Sequence, residues 1–202
     1  MPKKIFNLPN LLTMSRITVA PIIFILLLYR PGQLMSFFSA LVFTIAAITD
    51  FLDGYLARRL NMVTDLGKFL DPLADKILVC VALIMLIPLD RVQPLVVALI
   101  IMRELLVTGL RVYAINENMI IETSRLAKYK TTFQIVAVVG LLLHYTYTVR
   151  LGEMHVPVNF QAMGTLVLYA ALFITLWTGI DYFYRFFKQV FEQSSDNSTP
   201  AH

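Results

Sequence analysis

Apolar residues run through this chain in stretches long enough to cross a bilayer, and they do so six times. A helix needs about 20 mostly apolar residues to span the hydrocarbon core. Six segments approach that length: residues 11–29, 35–60, 66–89, 92–115, 131–149 and 160–187. Closed β-barrels are the other spanning solution, but their strands read as alternations of about ten residues. The runs here are continuous. Composition agrees, with 58% of the 202 residues hydrophobic and 15% charged, against roughly 45–50% and 25% in soluble domains. Too little polar surface is left to cover a water-soluble globule. The fold class expected is an all-α integral membrane protein with six transmembrane helices.

The joints between the runs carry the orientation. Of the 17 Lys and Arg residues, 3 (Arg30, Arg91 and Arg150) fall at one set of joints and 12 at the other, while Lys76 and Arg103 sit inside runs. Basic residues gather on the cytoplasmic side of membrane proteins. The larger group is therefore expected there, and six spans return both termini to the cytoplasm. The same asymmetry accounts for the net charge of +4 without a nucleic-acid partner. Before the first run, Ile5, Phe6 and Leu8 stand among polar residues. Residues 1–10 could thus form a short interfacial helix along the headgroups. Residues 11–190 would make one six-helix domain, and residues 191–202 a polar, disordered tail. The single cysteine, Cys80, excludes an internal disulfide framework.

Four carboxylates interrupt the second and third runs. Asp50 and Asp53 are three residues apart, with Gly54, Ala57 and Arg58 following; Gly67, Asp71 and Asp75 recur every four. Those spacings put each set on one side of a helix. Each Asp costs about 2.5–3.5 kcal/mol in a membrane helix, so something must compensate. The connection between the two runs is short, which makes them antiparallel neighbours whose acidic sides can meet near the cytoplasmic surface. Carboxylates gathered in that way repel unless cations intervene. Clustered oxygen ligands suit hard ions such as Mg²⁺, Mn²⁺ or Ca²⁺. Gly54, Ala57 and Gly67 are small, which serves either close helix packing or entry of a flat base and ribose. Arg58 could snorkel or bind a phosphate.

In these residues the chain resembles the CDP-alcohol phosphotransferase family. That family's pattern, D-x2-D-G-x2-A-R-x8-G-x3-D-x3-D, is matched at all fixed positions: Asp50, Asp53, Gly54, Ala57, Arg58, Gly67, Asp71 and Asp75. The resemblance implies two divalent metal ions, Mg²⁺ or Mn²⁺. Asp50 and Asp71 would contact both ions, Asp53 one, and Asp75 the second ion while also serving as the catalytic base. It implies that Gly54, Arg58 and Thr64 hold the CDP moiety of a CDP-diacylglycerol, with Thr13 and Arg16 approaching from the first run. Ala57 and Gly67 belong to the same CDP-lipid site. A homodimer in the bacterial cytoplasmic (inner) membrane, with its active site facing the cytoplasm, is the arrangement implied.

A second set of residues concerns the acceptor. Arg103 and Glu104 lie mid-run, Arg111 follows on roughly the same side, and Lys128 comes before the fifth run. An intramembrane arginine is a functional candidate by default, although an ion pair with Glu104 would also account for it. Together Arg103, Arg111 and Lys128 suit an anionic acceptor such as an alcohol phosphate. The surrounding runs resemble the bacterial phosphatidylglycerophosphate synthase branch, which implies sn-glycerol 3-phosphate as acceptor and these three residues as ligands of its phosphate. Phosphatidylglycerol, inositol phosphate and serine are alternative acceptors. An ion or proton transporter is the non-enzyme alternative, but it would spread its acids through the membrane depth. Here they cluster at one end of two runs.

Overall fold

A computed structural model describes residues 21–28, 31–59, 65–117, 119, 126–151 and 154–196. It is built of helices and one hairpin. Helical residues 21–27 (α1) are followed by α2 (Gln33–Arg59), α3 (Asp65–Leu86), α4 (Pro94–Asn116) and α5 (Leu126–Leu143). Then come β1 (Thr146–Leu151), β2 (Met154–Asn159) and the long α6 (Phe160–Asp196). α5 lies at the centre, in contact with α2, α3 and α6, while α4 packs on α3 and α6. One apolar core joins these helices. Phe43, Leu83, Ile100, Leu141 and Leu168 are fully buried in it.

The outside of the molecule is as apolar as the inside. Along α6, Leu166, Tyr169, Phe173, Trp177, Ile180, Tyr184 and Phe187 are all exposed, at successive three- and four-residue steps that draw one continuous stripe. Leu166 is 73% exposed and Tyr184 70%. Monomeric soluble proteins rarely show contiguous apolar surface on this scale. Among the described residues, Phe160–Val190 is the helix long and apolar enough to cross a membrane, and Gln33–Thr49, Lys76–Leu86 and Tyr129–Leu143 are shorter apolar helices.

Two boundaries differ from the sequence expectation. The fifth run, expected to be helical to residue 149, stops at Leu143, and residues 146–149 belong to β1. β1 pairs antiparallel with β2, from Thr146 opposite Asn159 to Leu151 opposite Met154. The reason is local. Tyr145-Thr-Tyr-Thr-Val alternates aromatic and β-branched residues, which favour strands, and His144 ends the helix with a positive φ of 59°. At the other end of the chain, α6 continues to Asp196, six residues into the segment expected to be a tail. Residues 197–202 lie outside the described residues, as does the N-terminal segment 1–10.

The end of the bundle that carries the hairpin is held by Arg91. The turn before it closes α3, with Arg91 N–H donating to Leu86 O (3.1 Å) and Asp90 N–H to Ile87 O (3.0 Å). Asp90 takes the left-handed conformation, φ 57°, which this type of helix stop requires. The Arg91 guanidinium, buried rather than solvated, donates to Leu142 O (2.9 Å), Leu141 O (3.3 Å) and Ser36 Oγ (2.8 Å). It thus caps the terminal carbonyls of α5, where a cation also complements the helix dipole, and ties them to the start of α2.

α5 and α6 form the most extensive helix pairing among the described residues, and glycines set its distance. A Cβ added at Gly164 would lie 2.7 Å from Leu141 N and 2.8 Å from Gly140 C; one added at Gly140 would lie 2.8 Å from Gly164 Cα. Backbone faces backbone there, so no side chain can move aside. Gly164→Leu is expected to destabilise the bundle by about 1–3 kcal/mol or more, the cost of overpacking a tight core. A lowered thermal unfolding midpoint in detergent would show this; an unchanged midpoint would mean that the crossing is looser than described.

Candidate active site

Helix direction decides which residues share an end of the bundle. Five residues separate the end of α2 at Arg59 from the start of α3 at Asp65. Asp50, Asp53, Gly54, Ala57 and Arg58 therefore occupy the last third of α2, and Gly67, Asp71 and Asp75 the first half of α3. Their side chains, like Thr13, Arg16 and Thr64, lie outside the described residues. Both acid-bearing helices pack on α5.

A cavity lies between the helices, and Lys76 of α3 is one of its lining residues. Its volume is about 190 Å³, and its walls come from four helices. α3 contributes Lys76 and Cys80, α4 contributes Arg103, Glu104, Thr108 and Arg111, α5 contributes Lys130, Thr131 and Gln134, and α6 contributes Thr178, Asp181 and Tyr182. Arg103 and Arg111, both predicted from sequence, are thus in one wall. Lys128 is in the first turn of α5, two residues before Lys130, with its side chain outside the described residues.

Glu104 is the hub of the cavity. Its side chain is 7% exposed, and three cations from three helices meet on it. Lys76 Nζ is 3.2 Å from Oε2, Arg103 Nη1 donates to Oε1 at 3.2 Å, and Lys130 Nζ donates to the same Oε1. Lys76 also donates to Thr108 Oγ1, which in turn donates to the Glu104 carbonyl at 2.6 Å. Burying a charge is costly unless it is paired, and this carboxylate is paired three times. Both readings of Arg103 raised by the sequence therefore meet in one place: it makes the ion pair and it lines a cavity.

Arg103 has room because α6 withholds a side chain. A Cβ at Gly179 would lie 3.0 Å from Arg103 Cγ and 3.1 Å from its Nε. The guanidinium reaches past this gap to donate from Nη2 to Thr178 Oγ1 at 2.8 Å. Its Nε is buried and has no hydrogen-bond partner among the described residues. Such a donor usually costs about 1–3 kcal/mol.

Among the described residues, Lys76, Arg103, Arg111 and Lys130 line the cavity against Glu104 and Asp181, four cations to two carboxylates. Asp181 is further engaged by Arg185, four residues on, whose Nε donates to Oδ1 at 3.0 Å. Lys76, Lys130, Thr178 and Gly179 were not among the predicted site residues. A signal existed for Lys76, which falls inside an apolar run, while an intramembrane Glu104 needs a partner. Nothing in the sequence alone distinguishes Gly179 from a packing glycine.

The comparisons with known proteins agree with this architecture. The family model for CDP-alcohol phosphatidyltransferase matches residues 6–177. A Rickettsia typhi protein named CDP-diacylglycerol–glycerol-3-phosphate 3-phosphatidyltransferase is 43% identical over 177 residues, covering 88% of this chain and 95% of its own. Proteins of the same name from Bacillus subtilis and Haemophilus influenzae are 40% and 35% identical, each over 88% of this chain and over 94% and 91% of their own lengths. With the aspartate pattern on α2 and α3 and a family match that runs from before α1 into α6, this chain belongs to the CDP-alcohol phosphatidyltransferase family.

Proposed function

We propose that this enzyme transfers the phosphatidyl group of CDP-diacylglycerol to sn-glycerol 3-phosphate, giving phosphatidylglycerophosphate and CMP. The observation that carries the acceptor assignment is the gathering of four cations around two carboxylates among the described residues of the cavity, a surplus of two positive charges there. A phosphomonoester carries about −1.5 to −2 charge at neutral pH, which neutralises that surplus. Phosphatidylglycerol offers only a diester, and serine offers no phosphate. Inositol phosphate satisfies the same charge rule and is therefore the acceptor to test against.

In this reading Arg103, Arg111 and Lys128 bind the acceptor phosphate, and Gly54, Ala57, Arg58, Thr64, Gly67, Thr13 and Arg16 form the CDP-lipid site. The donor set Asp50, Asp53, Asp71 and Asp75 fits Mg²⁺ or Mn²⁺, since it offers only carboxylate oxygens on two helices. When bound, such ions neutralise the diphosphate and stabilise the departing CMP. Asp75 takes the proton of the acceptor's free primary hydroxyl. That oxygen attacks the phosphorus bearing the diacylglycerol, and the bond from this phosphorus to the CMP oxygen breaks. Positioning and charge stabilisation carry most of such a transfer.

The proposed setting is the bacterial cytoplasmic membrane, crossed six times, with both termini and the site on the cytoplasmic side and a homodimer as the working unit. The exposed stripe on α6 and the distribution of basic residues support it. The deciding assay supplies purified protein with CDP-diacylglycerol, Mg²⁺ and a panel of alcohols. Lipid product with glycerol 3-phosphate is the expected result. Product with inositol phosphate or serine instead would move the enzyme to another branch. Absence of CMP release with every alcohol would remove the reading.

A further inference from the structure

We propose that Glu104 is a positioning residue for the acceptor: it touches no substrate, and it aims the cations that do. This inference rests on the reading that the cavity binds an anionic acceptor, and adds which group organises it.

A lysine ammonium has three donors and a guanidinium five. Glu104 takes one from Arg103, one from Lys130 and an ion pair from Lys76. Among the described residues, every one of these side chains keeps further donors, and Arg103 Nε is buried without a partner. Flexible chains from α3, α4 and α5 are thus fixed at their tips by one carboxylate while their remaining donors border the same cavity. Without that anchor, mutual repulsion would drive the three cations apart, and binding an anion would then have to supply the cost of gathering them. Of the two carboxylates among the described residues of the cavity wall, Glu104 holds all three of these cations, and Asp181 pairs with Arg185.

There is a second consequence. Lys76 follows Asp75 directly on α3. The Lys76–Glu104 contact therefore fixes α3 to α4 at the residue next to the proposed base. Glu104 registers the acceptor half of the site against the half that carries the aspartates. Lys130 becomes a second lysine of the acceptor site alongside Lys128.

The test is a comparison of Michaelis constants in Glu104→Gln. The glutamine keeps the shape and one acceptor oxygen but loses the charge. The expected result is a rise of about tenfold or more in KM for glycerol 3-phosphate, the size expected when hydrogen bonds to a charged group are lost, with KM for CDP-diacylglycerol within about twofold of wild type. Lys130→Met should raise the same constant, and the double variant should be little worse than the worse single, since the two act as a unit. Equal shifts in both Michaelis constants, or none in the acceptor constant, would overturn the proposal. If Glu104→Gln does not accumulate as folded protein, the same split is read on Glu104→Asp, which keeps the charge but withdraws it by one methylene. A wild-type enzyme that ignores glycerol 3-phosphate would defeat the functional reading itself. A wild-type enzyme that uses it, with an unmoved constant in the Glu104 variants, would defeat the positioning role alone.

Discussion

Asp75→Asn is expected to lower turnover by about 10²–10⁴-fold, the range for losing a positioned general base, while the protein still folds. Asparagine has nearly the same shape as aspartate and leaves a carbonyl oxygen in place, so α3 and its contacts with α4 and α5 should persist. What disappears is the ability to take a proton from the acceptor hydroxyl. The loss should therefore appear in kcat more than in either Michaelis constant. Thermal unfolding in detergent, measured alongside kcat, separates this from a collapse of the bundle. A variant with wild-type kcat would remove the base assignment and leave Asp75 at most as an oxygen ligand.

The second large effect belongs to Arg103. Arg103→Ala removes one of the three partners of Glu104, the bond to Thr178, and the only donor of the cavity that is buried and unpaired among the described residues. Glu104 keeps Lys76 and Lys130, so the carboxylate is not left bare and the full cost of about 3–5 kcal/mol for breaking a buried pair does not apply. The phosphate contact is lost outright. KM for glycerol 3-phosphate is expected to rise about 10- to 100-fold, in line with about 1.5–3 kcal/mol for a hydrogen bond to a charged group. Arg103→Lys should recover little of this, because one ammonium cannot reach Glu104, Thr178 and a ligand with a planar fork. An unchanged acceptor constant in Arg103→Ala would mean that the arginine only neutralises Glu104.

How far the sequence alone reached depended on the physical signal each element carries. The helices on either side of the aspartates were legible because apolar runs of bilayer length have few other solutions. The aspartate pattern was legible because four carboxylates at three- and four-residue spacing in such runs demand a compensating partner. The strand Thr146–Leu151 was missed because an apolar run ending in Tyr-Thr-Tyr-Thr-Val satisfies a hydropathy window as well as a helix does. The alternation of aromatic and β-branched residues, followed by Gly152-Glu153 and a second such run, was the hairpin signal. Arg91 was read as a topology marker. It stands at the expected end, but its charge is spent on the carbonyls of α5.

The cavity shows a different limit. Arg103 could be picked out because intramembrane arginines are rare, and Arg111 because it follows on roughly the same side of the helix. Lys130 could not, because a lysine just before an apolar run has the usual appearance of an interfacial cation. Only the convergence of α3, α4 and α5 reveals that Lys76 and Lys130 share one carboxylate. Gly179 matters for the same reason: its role is set by an arginine 76 positions earlier in the chain, and no local pattern records it.

The account stands or falls on carboxylates of α2 and α3 serving a metal-dependent transfer to an anionic alcohol. CMP release from CDP-diacylglycerol and glycerol 3-phosphate should be followed on the purified protein, first with a chelator in excess and then with Mg²⁺ or Mn²⁺ restored. Release should stop on chelation and return with either ion. Release that continues unchanged through chelation would contradict it.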